Sequence, residues 1–386
     1  MNDIISYVSA MSSTELSYLF VVLFMFTLAI IDLTVGVSND AVNFLSSAVG
    51  SKAAKIKHVL IVAAVGIFVG ASFSSGMMDV ARHGIFVPSF FSFENVMCVY
   101  LAVVISDVFL LDLFNSLGLP TSTTVSMVFE LLGASFVTAL ISSGGSGLAM
   151  LNTDRALTII ISIFLSVAIA FVFGLIVQWI SRTIFTFHYR KNLAGKIGIY
   201  GGVATTAIIY FMLIKGLKGT TIVPDAAKAF VDDNTLPILA ACFVLFTVLM
   251  QALHLAKVNV LKIVVLVGTF SLALAFAGND LVNFIGVTLA GFDSFITFVG
   301  SGAAPDELVM TSLSGSAKTP FYFLLAAGAV MVIALWRSKK ARKVLETSIG
   351  LSSQQDSEND MFGSSSFARN LVRVCTKMVT AISSKT

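Results

Sequence analysis

The chain has 386 residues, 57% of them hydrophobic and only 12% charged, and its mean hydropathy is +0.95. A soluble domain carries about twice that share of charge, so the composition points to a polytopic membrane protein. The net charge of +3 gives no reason to expect a nucleic-acid partner.

A membrane-spanning helix needs about 20 apolar residues. In chain order, nine such runs are predicted, roughly over 17–35, 58–75, 94–116, 121–142, 156–181, 197–214, 236–253, 258–277 and 319–336. Their length, and the scarcity of period-2 alternation, exclude a β-barrel. The fold class is therefore an all-α, multi-pass bundle.

The loops between runs carry the basic residues: Lys52, Lys55 and Lys57; Arg182, Arg190, Lys191 and Lys196; Arg337, Lys339, Lys340, Arg342 and Lys343. Such loops stay on the cytoplasmic side. Placing all three groups there puts the N-terminus outside and alternates the nine runs across the membrane. Lys215, Lys218 and Lys228 then fall outside, against the rule. The N-terminus has no basic stretch ahead of the first run, so no cleaved leader is expected. The Cys residues (Cys98, Cys242, Cys375) are odd in number and scattered, with neither disulfide nor metal spacing.

One phrase occurs twice. Asn39-Asp40-Ala41-Val42-Asn43-Phe44 returns as Asn279-Asp280-Leu281-Val282-Asn283-Phe284, with a constant offset of 240 residues. Each copy is read as lying at the end of an apolar helix. A carboxylate at membrane depth costs roughly 2.5–3.5 kcal/mol on insertion scales, so it is a functional candidate by default. Under the charge-based topology the two copies face opposite sides, the arrangement of inverted-repeat secondary transporters.

Between the third and fourth runs stands Leu119-Pro120-Thr121-Ser122-Thr123-Thr124. Proline suits a helix start, and the hydroxyls beside the free amides of a first turn can hold an anion or simply cap the helix. Asp32, Asp107, Asp112 and Glu130 also interrupt apolar runs. They read either as ligands for a hard cation or a proton, or as carboxyls satisfied by neighbouring hydroxyls. Gly66 and Gly70 form a GxxxG, read as a helix-packing element. No phosphate-binding glycine loop with a lysine, zinc-protease pair or nucleophile elbow is present, so an enzyme is not expected.

The doubled Asn-Asp-x-x-Asn phrase, with Gly50-Ser51-Lys52 after the first copy, resembles the signature of the PiT family of inorganic phosphate transporters. The Leu119–Thr124 segment is similar to that family's Leu-Pro-x-Ser-Thr-Thr element. The likeness covers roughly residues 20–140 and 258–350. It implies a symporter of inorganic phosphate driven by Na⁺ or H⁺, in the cell (inner) membrane, with no further cofactor and with homo-oligomers allowed. By position it implies Asn39, Asn43, Ser122, Thr123, Thr124, Asn279 and Asn283 on phosphate, and Asp40 and Asp280 on the coupling cation; Asp32, from the acids of the apolar runs, is read as a further cation ligand. The runs, the two phrases and the change of composition after 336 divide the chain into an N-terminal segment (1–16), a first repeat (17–181), a connecting region (182–257), a partial second repeat (258–336) and a polar tail or insertion (337–386).

Two departures stand out. Val125 occupies the place where the family often has histidine. The spacing from Asn39 to Pro120, applied to Asn279, points to residue 360, and no second hydroxyl element follows before Thr386. The chain is accordingly expected to break off within the second repeat and, alone, neither to transport phosphate nor to bind it well; a degenerate homologue is the alternative. In the polar tail, Phe367, Leu371, Val374, Met378 and Ile382 recur at helical spacing, as in an interfacial helix or a short helix in a linker. Transport of another tetrahedral oxyanion such as sulfate, and a non-transporting membrane scaffold, are the competing functional readings.

Overall fold

The computed structural model describes residues 11–72, 80–143, 147–186, 193, 195–218, 224–315, 320–351 and 373. All nine predicted apolar runs form helices: α1 (Ser13–Gly50), α2 (Ile56–Ser72), α3 (Phe93–Leu117), α4 (Thr123–Ser143), α5 (Thr153–Phe185), α6 (Ile197–Lys218), α8 (Thr235–Leu255), α9 (Val260–Ser301) and α10 (Phe321–Arg337). The shorter α7 (Asp225–Asp233) precedes α8, and α11 (Lys339–Leu351) follows α10. Among the described residues there is no strand, only the isolated bridges Phe86–Leu151 and Ser92–Val309.

Among the described residues, six helices are long and apolar enough to cross a membrane alone, and α10 with α11, bent by 68°, would make a seventh. The sequence count of nine is higher because α2, with 17 residues, and the apolar part of α6 (Ile197–Met212) are short. At 1.5 Å per residue, 17 residues reach about 26 Å against a hydrocarbon core of about 30 Å.

The sequence reading is also corrected at the two phrases. Neither lies at a helix end: α1 runs on to Gly50 and α9 to Ser301. Asn39, Asp40 and Asn283 are polar, but Ala41, Val42, Phe44 and Leu45, and most of Leu281 to Gly291, are buried apolar or small residues that keep both helices packed. Hydropathy falls where the phrases stand, while the helical backbone continues.

The central body is α1, α2, α3, α9 and α10, with α9 packed along α2 and α1, and α4 on α3. Its core gathers Val22, Met25, Phe93, Tyr100, Phe295 and Phe298. A smaller cluster of Ile197, Met250 and Val260 joins α6 and α8 to the start of α9. Along α5, only Ala156 and Phe185 are buried, so this apolar helix presents its sides to lipid.

Small residues set the closest approaches. A Cβ on Gly70 would lie 2.1 Å from the Leu274 carbonyl oxygen, and one on Gly66 2.6 Å from that of Phe270. The GxxxG is therefore the seat of α9 on α2. Gly70→Val is expected to destabilise the folded chain by about 1–3 kcal/mol, the usual cost of overpacking. The readout is a lower unfolding temperature in detergent; an unchanged one would mean that α2 does not seat on α9 through this glycine.

Residues Ile349–Thr386 form a separate unit. Residue 360 and the helix expected over 367–382 lie outside the described residues, apart from Arg373, which is helical and exposed.

Candidate functional site

The site grows from a helix ending. Gly118 takes a left-handed backbone (φ 75°), which glycine adopts without steric cost. Its amide donates to the Asn115 carbonyl and that of Leu119 to the Phe114 carbonyl, at 3.1 and 2.9 Å, the Schellman closure of α3. The chain reverses through Pro120, and Ser122 caps α4 by accepting from the Val125 amide at 3.4 Å. Thr123 and Thr124 thereby occupy the first turn of α4.

Asn39 holds this hairpin in place. Its amide nitrogen donates to Asn115 Oδ1 (2.9 Å) and to the Leu119 carbonyl (3.0 Å), while its oxygen accepts from the Thr121 amide (2.8 Å). Asn115 in turn donates to the Val35 carbonyl at 2.7 Å. Both asparagines are 0% exposed. Asn39 is thus committed to positioning the hydroxyl element. Asn115, which the sequence reading passed over, is part of the same lock; a lone carboxamide in an apolar run was its only signal.

The two phrases meet at the start of α4. Thr123 Oγ1 donates to Asp40 Oδ2 at 3.2 Å, and Thr124 Oγ1 to Asp280 Oδ1 at 3.4 Å. Asn283 Nδ2 donates to Thr124 Oγ1 at 2.9 Å and also lies 3.2 Å from Asp280 Oδ1. Asn43 donates to Asp40 Oδ1 at 3.2 Å, and Asn279 to Asp280 Oδ1 at 3.0 Å. Asn283 Oδ1 is buried without a hydrogen-bond partner.

Packing explains the convergence. A Cβ on Gly36 would fall 2.0 Å from the Phe284 ring, and Phe44 packs on Phe276 with centroids 5.3 Å apart. Ascending α1 is met by descending α9, so the helices pass antiparallel, with Asp40 and Asp280 between these contacts. Asn39 and Asn283 lie buried beneath the hairpin, whereas Asn43 and Asn279 are exposed. The constellation has one covered side and one open side.

Asp32 is not brought to this constellation. It stands eight residues from Asp40, about 12 Å along the helix, beside Asp107. Ser126 Oγ lies 2.6 Å from Asp107 Oδ1 and 2.8 Å from Glu130 Oε1. One hydroxyl proton faces two carboxyls, and Asp32 Oδ1 and Glu130 Oε2 have no partner, so this cluster is short of donors. Asp112 pairs with Lys340. Arg82, buried, pairs with Asp293 at 2.6 Å and donates to the Ser312 carbonyl; neither residue was singled out from sequence. Among the described residues no group of His, Cys, Asp and Glu could hold a metal ion by itself.

A family model described as the phosphate transporter family matches residues 36–347, from just ahead of the first phrase to beyond the second. The chain belongs to the phosphate transporter family. It is a multi-pass membrane transporter of that family rather than an enzyme. A protein named as a phosphate permease in Pyrococcus furiosus is 26% identical over 321 residues, covering 80% of this chain and 71% of the relative. One so named in Pyrococcus abyssi is 27% identical over 259 residues, covering 66% and 62%. A protein named as a low-affinity inorganic phosphate transporter in Bacillus subtilis is 31% identical over 147 residues, covering 38% of this chain and 41% of its own. A solved structure titled as the sodium-dependent phosphate transporter shares the fold, with a TM-score of 0.61 at 20% identity over 86% of this chain and 78% of that one.

Proposed function

We propose that this member of the phosphate transporter family carries inorganic phosphate together with Na⁺ or H⁺ across the cell (inner) membrane, as an inverted-repeat symporter. The observation that carries the reading is the meeting of both Asn-Asp phrases at the first turn of α4. Phosphate would sit against that turn, taking hydrogen bonds from Thr123, Thr124, Asn43, Asn279 and Asn283, with Ser122 at the rim; Asn39 would hold the turn in place. Free amides and the helix dipole favour an anion there.

Asp40 and Asp280 by themselves oppose this, since two carboxylates beside a dianion repel it. Cations bound to the carboxyl oxygens remove the conflict and make phosphate binding depend on cation binding, which is coupling in thermodynamic form. The relatives named as phosphate permeases, and the sodium-dependent title of the structural neighbour, favour this assignment. The offset of 240 residues and the antiparallel passage of α1 and α9 favour two opposed repeats, within the domain division expected from sequence.

The acceptors favour phosphate over sulfate. Near neutral pH phosphate keeps at least one P–OH donor, and sulfate keeps none. Asn283 Oδ1 is a buried acceptor without a partner; facing an anion without a donor leaves it unsatisfied, which costs about 1–3 kcal/mol. Radiolabelled phosphate uptake into vesicles carrying the full-length protein should therefore require a Na⁺ or H⁺ gradient and persist in excess sulfate. Uptake indifferent to both gradients, or abolished by equimolar sulfate, would sink the proposal.

A further inference from the structure

A cavity of about 590 Å³ lies between α1, α3, α10 and the start of α11. One end is basic, with Arg337, Lys339 and Lys340. The other is aliphatic, with Val330, Ile30 and Ile333, the last two 54% and 55% exposed. The chain bends by 68° between α10 and α11, where a membrane helix gives way to the basic, amphipathic α11. Cationic side chains at such a bend sit at headgroup level with their stems in apolar surroundings.

The polar groups lining this cavity differ in availability. Thr34 Oγ1 donates to the Ile30 carbonyl at 2.9 Å and Ser38 Oγ to the Thr34 carbonyl at 2.6 Å. The Asn115 amide is taken by Val35, and Lys340 pairs with Asp112. Among the described residues, Arg337 and Lys339 have no ion-pair or hydrogen-bond partner. What the cavity offers is two unspent positive charges and an aliphatic wall open to the bilayer.

We propose that this corner binds one anionic phospholipid, its headgroup phosphate on Arg337 and Lys339 and one acyl chain along Ile30, Val330 and Ile333. Inorganic phosphate fits less well. It needs neutral donors around most of its oxygens, and here Thr34, Ser38 and Asn115 already donate to backbone carbonyls, which leaves the Ser338 hydroxyl, an acceptor for the Ala341 amide, with its proton unspent. A zwitterionic lipid would bring a cationic choline towards the same two charges. Basic pockets between membrane helices at the cytoplasmic edge suit anionic headgroups on general grounds. The site is separate from the Asn-Asp constellation, with Asn115 between them, and does not depend on its assignment.

The test uses the full 386-residue chain in detergent, with bound lipid counted by native mass spectrometry. Phosphatidylglycerol, phosphatidylcholine of the same acyl chains, and sodium phosphate are titrated separately and in competition. One phosphatidylglycerol should be retained in preference to phosphatidylcholine and should resist displacement by inorganic phosphate. The double variant Arg337→Gln/Lys339→Gln should weaken that retention about thirtyfold, and Arg337→Lys/Lys339→Arg should preserve it. Equal retention of the two lipids, or of phosphatidylglycerol by wild type and the glutamine variant, would overturn the proposal. Displacement by inorganic phosphate would assign the corner to the free anion and overturn it too. If the glutamine variant does not fold, the wild-type comparison of the two lipids still decides.

Discussion

In the full-length protein, Asp40→Asn and Asp280→Asn are each expected to remove most cation-coupled phosphate uptake while leaving membrane insertion intact. Asparagine keeps the volume and one oxygen but loses the negative charge that would attract a cation. At position 40 the loss is compounded, because both carboxyl oxygens already accept hydrogen bonds, one from Asn43 and one from Thr123. An amide must turn its NH₂ towards one of those donors. Hydrogen bonds to charged groups are worth on the order of 1.5–3 kcal/mol, and 1.4 kcal/mol is a factor of ten. Uptake should thus fall about 10- to 150-fold in either variant, measured with radiolabelled phosphate and normalised to protein in the membrane fraction. Asp112→Asn is the matched control: its ion pair with Lys340 is half exposed, and such pairs contribute about 0–1 kcal/mol. Wild-type uptake in either phrase variant would remove the cation from these carboxyls.

Much of the site was legible in the sequence because it repeats. A single Asn-Asp pair in an apolar run is ambiguous, but the second copy at a fixed offset ties Asp40 to Asp280, and both lie at the start of α4. The apolar runs were legible for a cruder reason, since hydropathy alone finds membrane helices. The same measure misplaced the ends of α1 and α9. It falls at Asn39 and Asn279, whereas helix persistence depends on what the other faces of the helix pack against, such as Phe284 on Gly36. Asp32 stood among the acids that interrupt the apolar runs and was assigned to the coupling cation along with Asp40 and Asp280, but eight residues of helix set it about 12 Å from Asp40. Its neighbours, Asp107 and Glu130 through Ser126, come from two other helices. The sequence marks all of these carboxyls, with Asp112, as acids in apolar runs, but not that three of them meet while Asp112 pairs with Lys340. The asymmetry of the phrases was equally hidden: identical carboxamides at 39 and 279 are buried and exposed respectively, because only the first is covered by the α3–α4 hairpin.

That hairpin supplies the sharpest test of how position becomes affinity. Asn115→Leu should leave the chain inserted but raise the KM for phosphate about tenfold or more, with a smaller change in maximal rate. Asn115 spends its oxygen on Asn39 and its amide on the Val35 carbonyl. Leucine fills the same space and offers neither, so Asn39 loses a partner in a fully buried place, which costs about 1–3 kcal/mol. Asn39 can recover only by moving, and its movement releases the Thr121 amide and the Leu119 carbonyl that it clamps. Thr123 and Thr124 follow on the next turn, away from Asp40 and Asp280. The donors would then be present but misplaced, which weakens phosphate binding without abolishing turnover. A double-mutant cycle with Asn39→Leu separates this chain of contacts from two independent losses: residues in one hydrogen-bond network couple by about 0.5–3 kcal/mol. Additive effects, or an unchanged KM in Asn115→Leu, would show that the hairpin holds its place without this pair.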